Sequence, residues 1–120
     1  MKTELTIWDR LFDLDVIFQC YDNEEIIPEQ EEALKLMLQA DQEINSAKDA
    51  IEKYTKENYP EFEIKPNIFT YVVPKNIFVA HSKNKKTAII CNYKPDMEHG
   101  LAIVFEDGKF KEIGEEGIIY

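Results

Sequence analysis

Three side chains with acid–base or metal-ligating capacity lie close together near the C-terminal end of the sequence. Asp96 is followed by Glu98 and then directly by His99. A histidine beside carboxylates can exchange protons near neutral pH, and the same groups can ligate a metal ion. The segment therefore defines one candidate site, at which the chain would act as a small enzyme or a metal-binding module.

The same segment also has a purely structural interpretation. Consecutive residues of a strand point to opposite faces, so Glu98 and His99 need not converge. Gly100 can supply a bulge or a special backbone angle, while Asp96 or Glu98 bonds to backbone N–H groups of a turn. The sequence contains no H-x-x-x-H, C-x-x-C or H-E-x-x-H pattern. We favour the structural interpretation and predict no metal and no cofactor here.

Nucleophilic catalysis has little support in the sequence. Ser46 and Ser82 are the only serines, and neither lies in a G-x-S-x-G motif. Cys20 and Cys91 both occur in apolar runs, which predicts buried, reduced thiols. A pair of Cys91 with His99 is conceivable, but an apolar thiol is usually inert. The scattered glycines form no phosphate-binding loop, so we predict that the protein is not an enzyme.

The charge is distributed unevenly along the chain. The net charge is −10, and residues 1–63 carry 17 acidic and 6 basic side chains, whereas residues 64–120 carry 7 acidic and 8 basic ones. A negative field repels nucleic-acid phosphates and anionic membranes and attracts basic proteins. The lysines of residues 82–86 fit a solvated turn. We therefore predict no nucleic-acid partner and no membrane partner.

The densest acidic cluster forms a second candidate site. Its members are Glu24, Glu25, Glu29, Glu31 and Glu32. Acids at the start of a helix complement the helix dipole and promote solubility, which is one explanation. The other is that the cluster is half of an electrostatic interface for a basic protein, where it would speed association.

Hydrophobic periodicity predicts a long amphipathic helix in the middle of the chain. Pro28 suits its first turn, and apolar residues then recur every three or four positions as far as about Asn58. Pro60 ends the helix. Asp41 interrupts the apolar stripe and residues 46–49 could start a second helix, so we expect one long helix that is bent or broken.

Strand-like runs flank this helix on both sides. Residues 4–8 and 14–21 predict an N-terminal hairpin with its turn at residues 9–13. Beyond the helix, residues 67–73 fit either a helix or a strand. The predicted C-terminal meander comprises residues 76–81, 87–93, 100–105, 109–113 and 117–120.

Turn signals and element order complete the predicted architecture. Residues 22–25 mark a turn, and Asp107-Gly108 is a strong signal for a tight hairpin turn. Strands grouped before and after a helical block are typical of an α+β fold. We therefore predict one α+β domain over residues 1–120, in which an antiparallel sheet packs on the helix. No apolar run is long enough to span a membrane and no signal-like core is present, so we expect a soluble, cytoplasmic protein.

Five stretches carry a family resemblance: Asp96, residues 98–100, residues 105–109, residues 112–114 and the helical residues 29–54. They resemble DUF6985 and DUF2004, uncharacterised bacterial groups of small α+β domains. A tryptophan that the family places before the aspartate is replaced here by Lys-Pro. The resemblance implies the fold and no established activity. Some similar small domains accompany bacterial toxin–immunity systems, which implies an immunity-type role.

The leading hypothesis is therefore a non-enzymatic, cytoplasmic protein-binding domain. It would cover a basic partner with its acidic face, and a basic nuclease toxin is one conceivable partner. The alternative is the enzyme or metal-binding module at residues 96–99. A self-associating accessory domain is a third interpretation, and the sequence leaves the oligomeric state open.

Overall fold

A computed structural model describes residues 1–21 and 24–120. Half of the turn predicted at residues 22–25, namely Asp22 and Asn23, therefore lies outside the described residues. The described chain forms a sheet of six strands and two α-helices, which confirms an α+β fold with a mostly antiparallel sheet. The strands are β1 (Lys2–Ile7), β2 (Arg10–Phe18), β3 (Val72–Val79), β4 (Lys86–Tyr93), β5 (Leu101–Glu106) and β6 (Lys109–Gly114), and the helices are α1 (Pro28–Leu38) and α2 (Asp41–Asn58).

The strands lie side by side in chain order, and the sheet is mixed rather than purely antiparallel. All neighbours are antiparallel except β2 and β3, which run parallel from the pair Asp15–Asn76 to the pair Phe18–Val79. Parallel neighbours need a long crossover, and here the crossover contains both helices. The prediction of a wholly antiparallel sheet is therefore wrong at this one pairing.

The first two strands differ in detail from the predicted hairpin. They pair from Lys2–Asp15 to Ile7–Arg10, so the turn lies at Trp8 and Asp9 and not at residues 9–13. Both turn residues have positive φ angles, of 48° and 68°, as a tight two-residue hairpin turn requires. The Trp8 indole N–H donates to the backbone oxygen of Ile44 at 3.0 Å, so a contact with α2 secures this unusual turn.

Two separate helices are present where the sequence predicts one long helix that is bent or broken, and α2 begins at Asp41, the residue that interrupts the apolar stripe. The backbone N–H groups of Gln39 and Ala40 donate to carbonyls three residues earlier, which tightens and ends α1. Ser46 does not begin a new helix, because it lies inside α2, where its hydroxyl donates to the Glu43 carbonyl. Each short helix buries its own stripe against one face of the sheet. These stripes are Ala33, Leu34 and Met37 in α1, and Ile44, Ala47 and Ile51 in α2.

The opposite face of the sheet is covered only in part, by the C-terminal residues. Residues 117–120, predicted as a strand, instead belong to a 3₁₀ turn at Glu116–Ile119 and the terminal Tyr120. Ile119 is buried in a second hydrophobic core on this face. The Tyr120 ring contacts the Phe78 ring edge-on, with ring centroids 4.9 Å apart. The other members of this core are Phe78, Ala80, Ala88, Ile90, Ala102 and Val104.

Three further predictions concern single segments. Residues 67–73 form one 3₁₀ turn, Ile68–Thr70, followed by the start of β3. Cys91 is fully buried in β4 as predicted, whereas Cys20 is exposed, because β2 ends two residues before it. None of the helices among the described residues is long and apolar enough to cross a membrane.

A buried glutamine attaches the start of α1 to the sheet. Gln30 is fully buried; its Oε1 accepts the Ile27 N–H at 3.0 Å, and its Nε2 donates to the carbonyls of Gln19 at 2.9 Å and Val79 at 3.3 Å. Gln19 in turn accepts the His81 N–H at 3.0 Å. This network ties the acidic segment to the ends of β2 and β3.

Replacing Gln30 with alanine should lower the free energy of unfolding by about 2 kcal/mol, because two carbonyls and one N–H group lose a partner. Urea denaturation followed by circular dichroism measures the change. Gln42→Ala, at an exposed position of α2, is the matched control and should have little effect. Equal stability of the two variants would show that the buried amide contributes nothing.

Candidate functional site

A tight turn between β4 and β5 brings Asp96 and His99 together. The His99 backbone N–H donates to Asp96 Oδ1 at 3.2 Å, and the Gly100 N–H donates to the Asp96 carbonyl at 3.0 Å. Gly100 has a φ of +64°, and a Cβ atom there would lie 3.2 Å from the Cys91 carbonyl oxygen. The sequence-based assignment of a special backbone angle to Gly100 is therefore confirmed.

Asp96 is the centre of a small side-chain network. His99 Nδ1 lies 2.9 Å from Asp96 Oδ2 and 3.1 Å from Oδ1. Tyr59 is the residue that follows α2, and its hydroxyl donates to Asp96 Oδ2 at 3.2 Å. Tyr59 and Pro95 also line a surface cleft of about 430 Å³. The carboxylate is thus held from two sides, next to a concave part of the surface.

Glu98 does not take part in this cluster, whereas Glu115 does. Glu98 is exposed, and Glu115, which follows β6, brings a carboxylate oxygen to within 4.8 Å of ligand atoms of Asp96 and His99. The Glu116 N–H donates to the His99 carbonyl at 2.9 Å and so fixes the two segments together. Spacing along the chain gives no signal for Glu115, because the contact depends on the fold.

The charges of this cluster favour an ion pair. The hydrogen bond to Asp96, followed by the negative charges of Asp96 and Glu115, raises the pKa of His99 above its ordinary value. Partial burial acts to raise the pKa of Asp96, but hydrogen bonds from His99 and Tyr59 outweigh it and hold that pKa low. Burial, followed by the bond to Asp96, raises the pKa of Tyr59. The pKa shifts of His99 and Asp96 both act in favour of a protonated imidazole beside an ionised carboxylate.

Cys91 is poorly suited to the catalytic pair with His99 that the sequence left conceivable. The thiol is fully buried, and this burial raises its pKa well above the ordinary value. A thiol in that state has little thiolate to offer as a nucleophile.

Two carboxylates of the acidic cluster of residues 24–32 contact basic side chains from the C-terminal half of the chain. Glu24 lies 3.7 Å from His81 Nε2, and Glu32 lies 3.2 Å from Lys85 Nζ. The described residues provide no ion pair for Glu25, Glu29 or Glu31. Glu25 and Glu31 are exposed and Glu29 is half-buried. The structure therefore divides the five predicted residues into two that tie the segment down and three that carry free charge.

A further acidic surface, which sequence reasoning missed, lies on the outer face of β1 and β2. Glu4 is directly opposite Asp13 in the antiparallel register, and Lys2 is opposite Asp15. All four residues are exposed. Two large apolar side chains share this face: Leu11 is 61% exposed and Ile17 is 46% exposed. We call this surface the acidic strand face. The alternation of apolar and acidic residues in β2 was the sequence signal for it.

Comparison with known proteins identifies the family. The model of a domain of unknown function, DUF6985, matches residues 2–120. The chain therefore belongs to this family, and the resemblance noted for its motifs is confirmed for DUF6985, while the resemblance to DUF2004 and a bacterial origin stay predictions. No curated protein and no solved structure matches the chain.

The Asp96–His99 pair predicts a measurable pKa difference. In protein treated with a chelator, His99 should titrate above its ordinary pKa, and Asp96→Asn should lower the His99 pKa, because the imidazolium loses its main partner. NMR titration of the imidazole resonances measures this, with His81 as an internal reference. The pair stabilises the fold fully between the ordinary pKa of aspartate and that of histidine. This contribution is lost as the pH falls through the lowered pKa of Asp96 or rises through the raised pKa of His99. An unchanged His99 pKa in Asp96→Asn would contradict the pairing.

Proposed function

We propose that this member of the DUF6985 family is a non-enzymatic, cytoplasmic domain that binds a basic protein through its acidic surfaces. The mechanism is occlusion: the domain covers a positively charged region of its partner and performs no chemistry on it. An immunity-type role, in which the partner is a basic toxin, is the form of this proposal that the resemblance in the sequence favours.

The observation that carries the proposal is the direct opposition of Glu4 and Asp13 on the acidic strand face. Like charges directly opposite each other destabilise an antiparallel pair, and aspartate is a poor strand former. The direct pairing of these two carboxylates therefore adds no stability to the folded chain by itself. A partner that places lysine or arginine between the two carboxylates would turn the repulsion into attraction.

The apolar residues of the same face indicate what else the partner presents. Leu11 and Ile17 flank the carboxylates, and Ile17 lies beside Phe78 in the parallel register of β2 and β3. Burial of these exposed apolar side chains would add a favourable hydrophobic contribution to association. The complementary surface is therefore basic side chains interspersed with apolar ones. This combination would supply both rapid encounter and slow dissociation.

The acidic segment of residues 24–32 provides a separate negative surface, because α1 packs on the sheet face opposite the acidic strand face. Glu25, Glu29 and Glu31 have no ion pair within the described chain, so their charge is available to a partner. The Gln30 network holds this segment to the sheet, and the ion pair of Glu32 with Lys85 holds the first turns of α1. A rigid array of charges loses less entropy on binding than a flexible one.

Retention of the partner should depend on these three carboxylates and on salt. The immobilised domain is exposed to an extract of its source cells, and retained proteins are identified by mass spectrometry at about 50 mM and about 300 mM NaCl. The triple variant Glu25→Gln, Glu29→Gln, Glu31→Gln should lose the basic partner. The control, Asp49→Asn, Glu61→Gln, Glu112→Gln, removes the same charge from other exposed positions and should keep it.

Two outcomes of this experiment would contradict the proposal. One is a partner whose retention is indifferent to salt, because desolvated apolar contacts alone would then explain binding. The other is an equal loss of partner in both triple variants, because overall net charge and not the position of the carboxylates would then explain binding.

Replacing Asp13 with threonine should stabilise the free domain and weaken the complex. Removing the repulsion with Glu4 and adding a good strand former should raise the free energy of unfolding by about 0.5 kcal/mol. Asp15→Thr is the matched control, because Asp15 faces Lys2 and its removal also loses an attraction. Urea denaturation and partner titration of both variants measure the two effects. A destabilised Asp13→Thr that binds as tightly as wild type would refute the role of this face.

A further inference from the structure

We propose that Asp96, His99 and Glu115 form a binding site for a divalent transition-metal ion of the zinc class. The basis is their juxtaposition: one ligand atom from each residue lies within 4.8 Å of the other two. The residues come from two separate segments, the turn before β5 and the residues after β6. The site differs from the one suggested by the contiguous motif, because Glu115 takes the place of Glu98.

The donor set decides the class of ion. One imidazole nitrogen and two carboxylate oxygens suit Zn²⁺ and its neighbours in the first transition series, whereas Mg²⁺ and Ca²⁺ prefer oxygen ligands alone. Ligand atoms bonded to Zn²⁺ at about 2.1 Å in a tetrahedron stand about 3.4 Å apart. The Asp96–His99 contact of 2.9 Å would have to open slightly, and any pair near the 4.8 Å limit would have to close, which requires only a small movement of side chains. His99 and Glu115 are both exposed and have room for it.

The surrounding structure already orients the ligands. The Tyr59 hydroxyl and the His99 backbone N–H fix the Asp96 carboxylate from two directions. The bond from the Glu116 N–H to the His99 carbonyl fixes the segment that carries Glu115. Outer partners of this kind commonly contribute tenfold or more to metal affinity.

The electrostatics of the cluster also favour a cation. The imidazole of His99 lies 2.9 Å from the Asp96 carboxylate, and a carboxylate oxygen of Glu115 lies within 4.8 Å of the ligand atoms of both. Glu116 is engaged elsewhere, with Lys75 Nζ at 3.6 Å and the Tyr120 hydroxyl at 2.6 Å, so it does not compete for the ion. The metal would take the place of the proton that His99 and Asp96 share. Its remaining coordination positions would be open to water.

Zinc titration of chelator-treated protein tests the site directly. Competition against a chromophoric zinc indicator should give one tightly bound ion per chain. His99→Ala and Glu115→Gln should each weaken binding at least about tenfold, whereas Glu98→Gln should stay within about twofold of wild type. Both glutamine variants remove one carboxylate from an exposed position of the same region, so they are matched. Mg²⁺ and Ca²⁺ should not compete.

A second measurement guards against loss of folding in a variant. In wild-type protein, addition of Zn²⁺ should shift the NMR resonances of the His99 imidazole and leave those of His81 unchanged. The proposal is overturned if Glu98→Gln weakens binding as much as Glu115→Gln, or if His99→Ala keeps wild-type affinity. It is equally overturned if both histidines respond to zinc alike, since that is the behaviour of adventitious surface binding.

Discussion

The parallel pairing of β2 with β3 is the constraint on which the rest of the structure depends. Two parallel neighbours begin at the same end of the sheet, so the chain must return across its length between Phe18 and Val72. Both helices lie in this return, and both pack on one face. The pairing also places Gln19 and Val79 next to each other, where the amide of Gln30 bonds to both carbonyls. The position of the acidic segment follows directly from this geometry.

Much of the secondary structure could be predicted because it is encoded locally. The apolar stripe from Ala33 to Ile51 does face the sheet, and the Asp107-Gly108 turn has the two positive φ angles that its sequence signals. Strand pairing is different, because it depends on residues distant in the chain. The Trp8 turn is held by a hydrogen bond from its indole to the backbone oxygen of Ile44. The C-terminal 3₁₀ turn packs Ile119 into the second core, on the sheet face opposite the helices. Neither contact leaves a trace in local periodicity.

The same distinction between local and long-range contacts applies to the candidate sites. Asp96 and His99 are three residues apart in one turn, so their proximity could be predicted from the sequence. Tyr59 and Glu115 join them from the end of α2 and from beyond β6, and only the fold supplies that information. The composition of residues 24–32 gave the sign of the charge. It could not show that Lys85 pairs with Glu32 or that the His81 imidazole lies beside Glu24.

The sheet face opposite the helices is covered unevenly, and this affects how the carboxylates on it should be interpreted. The C-terminal residues cover β3 to β5 but leave the acidic strand face open, with Leu11 and Ile17 exposed on it. Carboxylates on an open face discourage association between sheets, so solubility alone explains the presence of acids there. It does not explain their register. Acids staggered opposite polar or basic residues, as Asp15 is opposite Lys2, would protect the face equally well without repulsion. The direct opposition of Glu4 and Asp13 is destabilising and solubility does not require it, whereas a lysine or arginine from the proposed basic partner would offset the repulsion.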